Sequence, residues 1–125
     1  MIVRLPFPPS ELMPNRSKGV HWAALSKVRE KYRNDAFNLA KATPRAEYGD
    51  GNIPVSIVFS TPDRRGRDLD NLLASIKHGL DGIAAALGLD DRRFKPLLVD
   101  SVLGEKPGCV IVAVGVHVTT TIGEL

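Results

Sequence analysis

The chain has 125 residues, 43% hydrophobic and 25% charged, with a formal net charge of +3. That length suits one domain, residues 1–125, with a core of its own and no room for a second, and no apolar run reaches the roughly 18 residues that a membrane span requires. The N-terminus, with Arg4 inside a short alternating run, lacks the long apolar stretch and cleavage site of a signal peptide, so the expectation is a soluble, cytoplasmic protein with no membrane partner.

The one cysteine, Cys109, lies in a Val/Ile run and reads as a small buried hydrophobe. Charge is unevenly spread: residues 1–45 carry nine Lys/Arg against three Asp/Glu, residues 46–91 four against eight, and residues 92–125 four against three. A basic frame around a local concentration of carboxylates suits an enzyme acting on nucleic acid, because the frame supplies sequence-independent affinity for phosphate. A solvated surface of mixed sign has the same composition.

Met1 to Phe7 alternates Ile2, Leu5 and Phe7 and then meets Pro8-Pro9-Ser10, which predicts a short strand ended by prolines. A loop rich in Pro, Asn and Gly runs to about Val20. From His21 to Thr43, Trp22, Leu25, Val28, Tyr32, Ala36 and Leu39 recur at helical spacing and Pro44 closes the segment, so a first amphipathic helix is expected with those residues inside. Lys27, Lys31, Asn34, Asn38 and Lys41 align in one polar stripe on its other side. Such a stripe can lie along a phosphate backbone, or be the solvated face of any amphipathic helix.

After a Gly/Asp turn at residues 45–52, Ile53 to Ser60 alternates through Val55, Ile57 and Phe59 as a second strand. From its end runs Asp63-Arg64-Arg65-Gly66-Arg67-Asp68-Leu69-Asp70-Asn71-Leu72. Leu69, Leu72, Leu73, Ile76, Leu80, Ile83 and Leu87 then predict one amphipathic helix, stopped by Gly88. Asp68 and Asp70 thus sit at a strand-to-helix junction. Two residues apart on a helix they would point about 200° away from each other, whereas on an extended lead-in they share a side, so only a junction lets them converge.

The pair reads in two ways. Asp68 suits the N-cap and Asp70 the first helical turn, where both meet the positive end of the dipole. Alternatively, the carboxylates gather Mg²⁺, which combines one or two protein carboxylates with waters and phosphate oxygens, while the adjacent arginines grip the same phosphates bidentately. A second acidic pair, Asp90 and Asp91, precedes a second basic group, Arg92, Arg93 and Lys95.

Leu97 to Glu105 and Cys109 to Thr119 predict two strands, joined as a hairpin by Lys106-Pro107-Gly108. Both faces of the last strand are largely apolar, so it is expected to be buried on both sides, with one surface available to a second copy. His117 reads as a hydrogen-bonded or exposed histidine rather than a ligand, and Thr119 to Leu125 as a frayed tail. The elements amount to an α/β (α+β) domain with a mixed four-stranded sheet and two main helices.

PDRRGRDLDNL after a strand, a helix containing Leu80-Asp81-Gly82, and Leu89-Asp90-Asp91 about twenty residues on together resemble the RusA family of Holliday junction resolvases. The opening Leu5-Pro6-Phe7-Pro8-Pro9-Ser10 resembles that family too. The likeness covers most of the domain and is densest between Pro62 and Asp91.

Membership implies a small homodimer that binds branched DNA at four-way junctions and cuts it by paired phosphodiester hydrolysis with Mg²⁺ or Mn²⁺. Carried over by position, Asp68, Asp70 and Asp91 are the catalytic and metal-binding aspartates, with Asp90 competing for the third place. The family commonly has a functional lysine four residues after the second aspartate; that position is Ala74 here, and Lys77, three residues on, is the candidate replacement. Arg64, Arg65, Arg67, Lys27, Lys31, Arg92 and Arg93 are the expected DNA contacts. The alternative, motivated by Ala74, is a catalytically weak or inactive branched-DNA-binding protein of the same fold.

Overall fold

The computed structural model describes residues 1–16 and 19–115. Its strands are β1 (Ile2–Pro6), β2 (Ile53–Thr61), β3 (Phe94–Leu103) and β4 (Cys109–Val114), in one sheet ordered β1-β4-β2-β3. β4 runs antiparallel to both β1 and β2, and β2 and β3 are parallel, so the expected mixed four-stranded sheet of an α+β domain is present. Parallel neighbours need a crossover connection. Two helices supply it, α2 (Leu69–Ser75) and α3 (Lys77–Leu87), while α1 (Trp22–Lys41) joins β1 to β2.

Strand alternation sorts the core. Val3 and Leu5, Val55, Ile57 and Phe59, and Val110, Val112 and Val114 share one face by register and are fully buried. They join Leu25, Tyr32 and Ala36 of α1 and Leu80 and Ile83 of α3 in a single hydrophobic cluster. Each such side chain contributes roughly 1.5–3 kcal/mol by leaving water. Tyr32 also donates from its hydroxyl to the Pro6 carbonyl at 2.6 Å, tying α1 to the end of β1, and burial pushes its phenol well above the ordinary value of 10.

α1 and α3 pack closely because α3 presents glycines to α1. A Cβ on Gly82 would lie 2.2 Å from the Arg33 carbonyl oxygen, and one on Gly79 2.8 Å from the Tyr32 ring. α3 ends as expected at Gly88, which takes the left-handed conformation at φ 68°, and the Arg45 guanidinium caps the helix by donating to the Leu87 carbonyl at 2.7 Å.

Four expectations change. The second helix is not continuous: it breaks at Ile76 (φ −93°, ψ −4°), where the amide of Ile76 reaches Leu73 and the buried Ser75 hydroxyl takes the Leu72 carbonyl at 2.6 Å. The described residues therefore form three α-helices. β3 and β4 do not form a hairpin, because β2 is inserted between them and pairs with both; β3 also begins earlier, at Phe94. Finally, Trp22 and Leu39 are not core residues of α1, being 77% and 39% exposed; the buried stripe is Leu25, Tyr32, Ala36 and Ala40. On the second face of β4, Ala113 is buried and Cys109 and Ile111 are half-buried, while Val116, His117, Val118 and the expected tail lie outside the described residues.

Candidate functional site

The loop between β2 and α2 is braced by its own charges. Asp63 accepts the Arg65 amide at 2.9 Å and pairs with the Arg67 guanidinium at 3.0 Å, contacts that hold its carboxyl below the usual range. Arg67 is 14% exposed at its side chain and lies over the Phe7 ring, 5.3 Å from the centroid. It serves as a strut for the loop. Arg64 and Arg65 are exposed and make no ion pair among the described residues.

Asp68 occupies the N-cap position of α2 in extended conformation (φ −77°, ψ 143°), without a capping hydrogen bond from its side chain. It lines a cleft with Phe7, Arg16, Arg65 and Asn71. Asp70, two residues on, lines a different one: an apolar groove of about 380 Å³ shared with Ala74, Lys77, Asp91, Phe94 and Leu97. The two carboxylates thus line different clefts.

Between the two downstream acids, the structure distinguishes clearly. Asp90 caps the 3₁₀ turn Asp91–Arg93, accepting the Arg92 amide at 2.9 Å and its guanidinium at 2.7 Å, and Arg92 holds its carboxyl down to about 2. Asp91 lines the groove. Its carboxyl also shares a hydrogen bond with Asp81, whose own carboxyl is pushed up to about 6 by burial and then by Asp91.

Asp91 and Asp70 come from different elements. Asp70 lies in the first turn of α2, whereas Asp91 follows α3, where its carboxyl is the hydrogen-bonding neighbour of Asp81. In the parallel register Phe94, at the start of β3, pairs with Ile53 while the loop carrying Asp68 leaves the opposite end of β2 at Thr61. Both acids line the groove. Ligands of one Mg²⁺ sit at about 2.1 Å from it, and no group of three His, Cys, Asp or Glu side chains among the described residues could hold a metal ion. The donors have the hard oxygen chemistry that Mg²⁺ or Mn²⁺ takes.

Lys77 and Ala74 line the same groove. The remaining expected contacts are dispersed. Lys31 pairs with Asp35 at 2.7 Å and lines a cleft near Pro6 and Glu11; Lys27 is exposed on α1. Arg93 donates to the carbonyls of Gly49 and Gly51, fastening the 3₁₀ turn to the preceding loop.

Sequence reasoning missed the basic residues that flank Asp81. Arg29 and Arg33 of α1 act electrostatically on His78 together with Lys77, and Arg33 also acts on Asp81. Their i, i+4 spacing was a visible signal, but it follows the side of α1 that meets α3, not the Lys27/Lys31 stripe. Asp81 was visible only inside Leu80-Asp81-Gly82, with no role attached.

Over 95 residues the chain is 30% identical to the crossover junction endodeoxyribonuclease RusA of Enterobacteria phage HK97, an alignment covering 76% of this chain and 77% of that protein. The chain belongs to the RusA family. An uncharacterised protein of Xylella fastidiosa is 42% identical over 106 residues, covering 78% of this RusA-family chain and 66% of the Xylella protein, so the chain spans just under two thirds of that relative. No protein-family model matches the sequence. Among the described residues no helix is long and apolar enough to cross a membrane.

Proposed function

We propose that this RusA-family chain is a structure-selective endodeoxyribonuclease that hydrolyses phosphodiester bonds in branched DNA, with the four-way junction as substrate and Mg²⁺ or Mn²⁺ as cofactor. The observation that carries the reading is the groove on which Asp70, Asp91 and Lys77 open together although 21 positions separate the two acids. Carboxylates and a lysine along one groove, beside a loop with two exposed arginines that make no ion pair among the described residues, combine acidic donors with a grip on phosphate. Kinship with the phage junction endodeoxyribonuclease supports the substrate class.

In this reading Arg64 and Arg65 position the DNA backbone, Arg67 keeps their loop in shape, and Lys77 meets a phosphate oxygen in the groove. Asp70 and Asp91 supply the acidic donors. Two copies related by a two-fold axis would present paired sites to the two symmetry-related strands of a junction.

The test is incubation of the purified protein with a synthetic four-way junction, with Mg²⁺ or with a chelator. Paired nicks that require the cation are expected, and Asp70→Asn should lose cleavage by a factor of 100 or more, on the order expected for a charge-stabilising group, while binding the junction at least as well. Equal cleavage by Asp70→Asn and wild type would remove the acidic groove from the mechanism. A band shift without products in the wild type would favour the binding-only alternative, which Ala74 at the family's lysine position motivates.

A further inference from the structure

We infer that Arg29 and Arg33 of α1, with Lys77 and His78 at the start of α3, form a seat for a backbone phosphate of DNA, separate from the β2–α2 loop. The inference rests on the nuclease reading for its ligand but not on cleavage.

Helix packing sets the geometry. β1 and β2 are both antiparallel to β4, and β2 is parallel to β3, so α1 and α3 each return against the strands and run the same way. They touch where a Cβ on Gly82 would lie 2.2 Å from the Arg33 carbonyl oxygen. One turn earlier on each helix stand His78 and Arg29. Lys77 precedes His78, and the charges of Arg29, Lys77 and Arg33 all reach the half-buried imidazole. Two helices thus bring four basic side chains to one seam.

These charges are poorly balanced within the chain. Arg29, Arg33 and Lys77 are exposed and make no ion pair among the described residues. Asp81, further along α3, faces Arg33 and Lys77, but its carboxyl is hydrogen-bonded with Asp91. Lys77 and His78 also occupy the first turn of α3, which carries no acidic residue although the helix dipole there favours an anion. Like charges held together oppose one another, and an oxyanion seated among them removes that cost. Guanidinium forks match phosphate oxygens bidentately, and Lys77 with a protonated His78 adds donors from the second helix.

The position favours DNA over a free anion. Lys77 lines the groove shared by Asp70 and Asp91 and also acts on His78. The seat therefore continues the groove across the α1–α3 seam. A strand lying in the groove is carried on toward Arg33 and Arg29.

Two measurements, both with a four-way junction in chelator so that nothing is cut, test the seat. Arg29→Gln/Arg33→Gln, at two exposed positions, should lower the slope of log K against log salt concentration by about 1, the value for one phosphate contact. Arg4→Gln/Lys106→Gln, which removes the same charge from β1 and the turn before β4, should leave it unchanged. By NMR, the imidazole of His78, assigned by its loss in His78→Gln, should titrate at higher pH once the junction is bound, and should not move in the Arg29/Arg33 variant.

Failure of either result overturns the inference, as does an equal fall in slope for the Arg4/Lys106 variant, which would trace the effect to net charge. Inorganic phosphate that moves the His78 titration as far at equal concentration would assign the seat to free phosphate and overturn its assignment to DNA. With both results in hand, a junction left uncut in Mg²⁺ would sink the nuclease reading and leave the seat standing.

Discussion

At the scale of single residues, chemistry depends on which partner each charge already has. Asp90 and Asp91 are identical in sequence, yet Arg92 binds the first and leaves the second to the groove. His78 shows the same dependence with opposite sign. It is partly buried at the α1–α3 contact, and desolvation, followed by the charges of Arg29, Lys77 and Arg33, lowers it from its ordinary value near 6.5. A depressed histidine is favoured neutral in the folded state, so its contribution to stability is complete above pH 6.5 and is lost as pH falls through the lower folded value. His78→Gln removes this penalty. The melting temperature of the variant relative to wild type should therefore rise as pH is lowered from 7 to 5, and a difference independent of pH would show that the imidazole is not depressed in the folded protein.

At the scale of elements, α1 and α3 approach closely at Gly82. Adding a methyl there places it 2.2 Å from the Arg33 carbonyl and 3.0 Å from the Phe37 amide, both backbone atoms that cannot rotate away. Overpacking costs about 1–3 kcal/mol, here near the upper end, while alanine recovers about 1 kcal/mol of helix propensity. Gly82→Ala should thus destabilise by about 2 kcal/mol in chemical denaturation. Gly66→Ala, with nothing within 4 Å of the added methyl, should stay within about 0.5 kcal/mol of wild type.

The same scale shows what local pattern encodes. β1, β2 and α1 and the stop at Gly88 follow from periodicity, proline and glycine, which act over a few residues. The insertion of β2 between β3 and β4 does not, since a strand's partner is chosen by tertiary packing, and the edge strand β3 buries only Phe94. The break at Ile76 was hidden for a related reason: its apolar residues keep helical spacing on both sides, and only the buried Ser75 hydroxyl competing for a backbone carbonyl marks it. That Asp70 and Asp91 line one groove follows from that crossover, which a sequence motif does not reveal.

For the whole molecule, net charge is a poor guide to how DNA is held, because much of the basic inventory is already spent. Of the arginines and lysines expected to contact DNA, Lys31 pairs with Asp35, Arg67 with Asp63 and Arg92 with Asp90, and Arg93 is committed to backbone carbonyls. Arg64 and Arg65 remain exposed, without an acidic partner among the described residues. Each phosphate contact contributes about 0.9 to the slope of log K against log salt concentration. Replacing both arginines by alanine should lower the slope for junction binding by about 2, measured by fluorescence anisotropy from low to moderate salt. Lys31→Ala should change it by less than about 1, since the lysine's charge is already balanced by Asp35. Equal slopes for the Arg64/Arg65 double variant and wild type would move the DNA track off the β2–α2 loop and onto the α1–α3 side, where Arg29 and Arg33 stand beside Lys77.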